Sequence, residues 1–268
     1  MQNNYFYKWI DSNKDDEINS FKECIDSYIY FKKDAFHKTN KLIVNNPEFN
    51  APKLLKIVLL LFSRDTQKIS LARETLKSIS TGKVNNYFHQ YLEIVNLWIK
   101  NDLKNLLHKL ELIIKDNPKD IFAIRLFHFN NIFLGIDGKF LDKHKEILSK
   151  WSENDQHYNL LLGMTSYAFE ENNLIDKAKF LALNSLEKST NDLWSWHALL
   201  HVHDNENNYS INKNDNFNKI NWSIYGPIKR HIWWHQSLIL FYNQEYEKSL
   251  KLFDNYFYSS EIFYLDFC

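Results

Sequence analysis

DNPKDIFAIRLFHF, residues 116–129, and STNDLWSWHALLHV, residues 189–202, are the two stretches on which the reading of this chain turns. Each runs from a polar turn through an acidic residue into apolar side chains that recur with helical spacing. Asp120 and Asp192 stand where the helices begin, so a carboxylate meets the positive end of each helix dipole. Pro118 fits just ahead of its helix, because proline disfavours helical geometry in the residue before it. The two aspartates are 72 residues apart, which is two periods of about 36.

Working outward, candidate helix starts fall near Ala51, Val84, Asp120, Asp155, Asn191 and Pro227, at spacings of 33 to 36 residues. Paired-helix repeats stack into solenoids at that period. Small residues recur where two helices must approach closely: Ser166, Ala178 and Ala182 in LLGMTSYAFEENNLIDKAKFLALNSLEKST, then Ser237 and Ser249 in HQSLILFYNQEYEKSLKLFDNYF. Phe169 and Phe253 are placed to fill the gaps between helices, and Pro118 closes YLEIVNLWIKNDLKNLLHKLELIIKDNP. The expected fold is therefore all-α, an α-α superhelix: a tetratricopeptide-like solenoid of antiparallel helix pairs over residues 84–268. Residues 1–83 read as an N-terminal helical region packed on those repeats. There the spacing predicts helices over 17–33 and 35–44, after a loose cap of about a dozen residues. From about 204 to 226, DNENNYSINKNDNFNKINWSIYG is rich in asparagine and has no apolar stripe, so it reads as a loop interrupting the period.

Composition agrees. The 268 residues are 44% hydrophobic and 16% aromatic, enough for a substantial core. Five glycines and four prolines are too few for the special turns of sandwiches, barrels or doubly wound sheets. Lys+Arg and Asp+Glu balance at 33 each, which leaves no net field to draw in nucleic acid or an anionic membrane. Cys24 and Cys268 are too few for a disulfide framework, and neither a signal peptide nor a membrane span is expected. A cytoplasmic protein is the default.

From about Val84 to Phe257 the chain resembles the tetratricopeptide repeat protein 38 family. The likeness rests on DNPKDIFAIRLFHFNNIFLG, LLGMTSYAFEENN, NDLWSWHALLHVHD and HIWWHQSLILFYNQEYEKSLKLFD. On this matching His128, His197, His201, His231 and His235 fall on family histidines. Phe129 stands where the family has an aspartate, and His231-Ile232-Trp233-Trp234-His235 lacks the family's asparagine. Fuller members continue with further helices beyond the position of Cys268, so part of a family site is expected to be absent or rebuilt. The resemblance implies a helical-repeat fold and leaves the chemistry open.

Chemistry concentrates between Asn191 and Gln236, which holds five of the eight tryptophans: Trp194, Trp196, Trp222, Trp233 and Trp234. It also holds two H-x-x-x-H pairs, His197/His201 and His231/His235. Residues four apart share one helix face, so each pair aims two imidazoles in one direction. Two facing helices would bring four histidines together, with Trp194 and Trp234 as walls and His128 as a further candidate. Imidazole is the commonest protein ligand for zinc and similar divalent ions, and Asp192, Glu170 and Asp204 are candidates to orient the rings. No carboxylate completes an H-E-x-x-H pattern, so packing of a repeat core is the simpler reading and no cofactor is required. On the sequence alone, the leading function is binding of a protein or peptide in a concave groove. The alternative is a metal- or small-molecule-binding protein, or a hydrolase, using the His/Trp cluster. The aromatic run from Tyr256 to Phe267 suggests homo-oligomerisation as a further expectation.

Overall fold

A computed structural model describes residues 8–80, 82, 84–135, 139–206, 217, 219–226 and 228–256. Those residues are helical throughout their regular structure, with no β-strand among them. The chain divides into two compact units at Gly135. The first holds α1 (Asp15–Ile29), α2 (Ala35–Asn45), α3 (Ala51–Phe62), α4 (Thr66–Lys77), α5 (Asn86–Ile99), α6 (Leu103–Asp116) and α7 (Ile121–Leu134). The second holds α8 (Lys139–Leu148), α9 (Tyr158–Glu170), α10 (Ile175–Lys188), α11 (Leu193–Asn205), α12 (Ile228–Tyr242) and α13 (Tyr246–Tyr256), with a 3-10 turn at Trp222–Ile224. Consecutive helices pack as neighbours within each unit, save that α5 packs on α3 where the chain passes from α4 to α5.

The observed starts of α3, α5, α7, α9, α11 and α12 lie within three residues of those read from the sequence. Local capping marks three of these starts, those of α5, α7 and α11, and that of α6 besides. Asn85, Asp102, Asp120 and Asp192 each accept a backbone N–H from the first turn of the helix that follows, a contact worth about 1 kcal/mol. The structure also tightens one expectation. Trp9 is fully buried against Phe21, Phe88, Tyr91 and Phe122, so residues 8–12 are an anchor of the first core and not a loose cap. Asp11 reinforces the anchor by accepting the backbone N–H of Asn50 and of Ala51, both at 2.9 Å. Residues 207–216 and 218 of the asparagine-rich stretch, the aromatic run beyond Tyr256 and Cys268 lie outside the described residues.

Within the second unit α9 is the central helix. Every residue from Leu160 to Glu170 is buried, as expected for a helix with neighbours on all sides. It packs against α8, α10 and α11. Small residues set these approaches. Ser166 Oγ donates to Ala178 O at 2.7 Å across the α9–α10 hairpin, and Ser249 Oγ donates to Ser237 O at 2.9 Å across α12–α13. Both bonds join residues twelve apart, so the two hairpins share one local design.

Asp192 ties three helices at one point. Its buried carboxylate accepts from Trp194 N (3.1 Å) and Ser195 Oγ (2.5 Å) on α11, and from Ser185 Oγ (2.8 Å) on α10. On α9 the facing residue is Gly163, where a Cβ would stand 2.2 Å from Asp192 Oδ2 and 2.7 Å from Ser195 Oγ. Any side chain there must displace the carboxylate. The Gly163→Ala variant should therefore lose about 1–3 kcal/mol of stability despite alanine's better helix propensity, read as a lowered midpoint in urea unfolding.

Two buried imidazoles, His144 and His157, contribute to acid sensitivity. Burial pushes His144 down to about 3, where it faces Thr165 Oγ1 at 3.5 Å, and pushes His157 down to about 4. The unfolded chain protonates these rings near pH 6.5, whereas the folded chain resists until far lower pH. Their stability is complete above about pH 6.5 and is lost as pH falls towards 4, at about 1.4 kcal/mol per pH unit for each ring. Unfolding of His144→Leu measured between pH 6 and 4.5 should show a slope shallower than the parent's by about that amount.

Candidate metal centre

His197 and His201 lie one turn apart on α11, and His231 and His235 one turn apart on α12. The two helices pack side by side, and all four imidazoles turn towards a common point. Their Nε2 atoms form a closed loop: His197 to His231 at 2.8 Å, His231 to His235 at 3.1 Å, His235 to His201 at 3.1 Å and His201 to His197 at 3.1 Å. All four atoms lie within 4.8 Å of one another. A loop of that size has its centre about 2 Å from each nitrogen, the length of an imidazole–metal bond.

Hydrogen bonding cannot account for this loop. A neutral imidazole carries one N–H, and a proton on Nε2 can point at a single partner. Four neutral Nε2 atoms in a closed loop therefore support at most two N–H···N bonds, leaving at least two of the four contacts with no hydrogen bond between the nitrogens. Protonation does not help, because it adds positive charge at the crowded centre. Burial pushes His231 down to about 4, with the nearby His201 ring acting in the same direction. It pushes His235 down to about 2, with His201 and His231 adding to the effect. Both shifts favour the neutral imidazole, the form that can offer a lone pair to a cation.

Neighbouring residues hold the rings in place. Glu170, buried at the end of α9, brings Oε2 to 3.3 Å from His201 Nδ1, while its Oε1 accepts from Asn205 Nδ2 at 3.3 Å. The approach lacks hydrogen-bond geometry, and a carboxylate beside Nδ1 favours placing the ring's proton on that nitrogen. Tyr167 stacks on His197 with centroids 5.4 Å apart and planes at 21°, and meets His201 edge-on at 6.3 Å. Trp194 packs against His197 at 5.6 Å, and Trp234 covers His231 at 5.6 Å and His235 at 4.7 Å. Trp234 remains 43% exposed, so that side of the cluster reaches solvent.

The structure thus brings together His197, His201, His231, His235, Trp194 and Trp234, all read from the sequence, and of the candidate carboxylates Asp192, Glu170 and Asp204 it places Glu170 3.3 Å from a ring. His128 is a fully buried residue of α7 in the first unit, with its ring against Phe129. Asp192 caps α11 and Asp204 is exposed, so neither is among the ring contacts just described. Three of the five tryptophans belong elsewhere: Trp196, Trp222 and Trp233 form a separate aromatic row with Phe217 and Tyr256. Tyr167 is the residue that sequence reading missed. Its signal was present, since it precedes Glu170 by three positions and so shares that face of α9.

No protein-family model matches the chain, and no solved structure matches it.

If Glu170 orients His201, Glu170→Gln should keep the helical content and weaken binding of zinc by about 10- to 100-fold. Competition against a chromophoric chelator measures this, and affinity equal to the parent's would rule the role out.

Proposed function

We propose that the unit beyond Gly135 is a metal-binding helical module in which His197, His201, His231 and His235 hold one divalent first-row transition ion. The single observation carrying this reading is the closed loop of four Nε2 atoms at 2.8–3.1 Å. An all-imidazole donor set suits zinc, copper or nickel and is a poor match for calcium or magnesium, which take oxygen ligands. Four imidazoles complete a four-coordinate shell, which is the pattern of a structural centre. Hydrolysis would need one ring to yield its place to water, so a hydrolase is the weaker form of this reading.

The surrounding architecture is read as a degenerate tetratricopeptide-like array related to the repeat protein 38 family. Support comes from the period of helix starts, from the matched Ser166–Ala178 and Ser237–Ser249 hairpins, and from the sequence blocks that resemble that family. A buried free thiol at Cys24 suits a reducing compartment such as the cytoplasm. A second reading, docking of a protein or peptide, is supported by exposed Phe241, Tyr242, Tyr246, Leu250 and Phe253 on α12 and α13. Among the described residues no helix is long and apolar enough to cross a membrane.

Metal-stripped protein titrated with zinc, copper and nickel should take up one equivalent at micromolar affinity or tighter for at least one of them. His197→Ala should weaken that binding by more than about 100-fold while far-ultraviolet dichroism stays helical. Helical protein that binds none of the three would overturn the reading.

A further inference from the structure

α13 buries none of its residues. Its inner side meets α12 through the Ser249–Ser237 bond and the stacking of Tyr256 on Trp233, with centroids 3.9 Å apart. The hairpin α12–α13 therefore has little core of its own, and it packs on the rest of the second unit through α11. The α11–α12 interface has two parts. One is the aromatic row of Trp196, Phe217, Trp222 and Trp233. The other is the imidazole cluster, where rings of the two helices stand 4.4–5.0 Å apart between centroids.

The second part is conditional. Without a cation, at least two of its four Nε2 contacts bring ring nitrogens together at 2.8–3.1 Å with no hydrogen bond between them. With a cation all four become bonds.

Resting on the metal-site reading, we propose that occupancy of the four-histidine centre governs docking of the α12–α13 hairpin, making the hairpin a metal-controlled element. In the loaded protein, an ion bonded to His197 and His201 on α11 and to His231 and His235 on α12 staples the hairpin down. In the stripped protein the four rings separate and the hairpin is released, while the α9–α11 assembly around Asp192 persists because its bonds involve no imidazole nitrogen. Release would also turn α12's Ile232 and Ile239, buried when docked, towards solvent.

Hydrogen–deuterium exchange of the full chain, stripped and zinc-loaded, tests this. With zinc at a hundred times its dissociation constant, opening of the hairpin should be suppressed about 100-fold. Protection over 228–256 should rise accordingly, and protection over 158–188 should change less than about twofold. The His235→Ala chain is the control, and zinc should not restore its hairpin protection. Stoichiometric zinc binding with unchanged protection over 228–256 would overturn the docking proposal and leave the metal site standing. Failure of the chain to bind zinc, copper or nickel would remove both. Uniform protection of the whole second unit would also overturn it, since the ion would then stabilise the unit as a single body.

Discussion

A buried carboxylate sets the frame for everything in the second unit. Asp192 collects a backbone N–H and a hydroxyl from α11 and a hydroxyl from α10, and presses against the bare Cα of Gly163 on α9. A carboxyl group placed there, fully removed from water, is tolerable because its oxygens are engaged. That demand leaves α11 little freedom to rotate about its axis or slide along its neighbours. Five and nine residues later, His197 and His201 emerge on a fixed face. The register of the candidate centre is inherited from a cap.

Asp120 plays the corresponding part in the first unit. It caps α7 through Ala123 N at 3.1 Å and accepts from Tyr91 OH at 2.7 Å on α5. Burial pushes its carboxyl up to about 6, against the opposing pull of those hydrogen bonds. Two buried aspartates, two periods apart in sequence, thus do the same structural work with different partners: a phenol in one case and two serines in the other. Only around Asp192 do imidazoles follow at both the fifth and ninth positions.

The arrangement of aromatic groups on α11 and α12 follows from helical geometry. Each residue turns about 100° from the one before it. Trp194 and Trp234 fall on the same side as the histidines, while Trp196 and Trp233 are carried away into the row with Phe217, Trp222 and Tyr256. One side of the helix pair is therefore oily and closed, and the other is nitrogen-rich and partly open. Apolar burial supplies the cohesion of the first side, whereas the second is cohesive when a cation occupies the convergence of imidazole nitrogens.

Much of this was written in local pattern. The helical class, the starts of α3, α5, α7, α9, α11 and α12, and the pairing of histidines on shared faces all follow from spacing and capping chemistry, which act within a turn or two of chain. The sequence also named Glu170, Trp194 and Trp234 without being able to assign their partners. Tertiary structure alone decided that the two histidine pairs face each other, that Glu170 rather than Asp192 or Asp204 reaches a ring, and that Tyr167 covers His197. It also decided that His128 lies in the other unit. The reason is physical: i,i+4 spacing fixes a direction relative to a helix axis, but the rotation of one helix against another is set by distant groups, here Asp192, Gly163 and Ser185, that no local window contains.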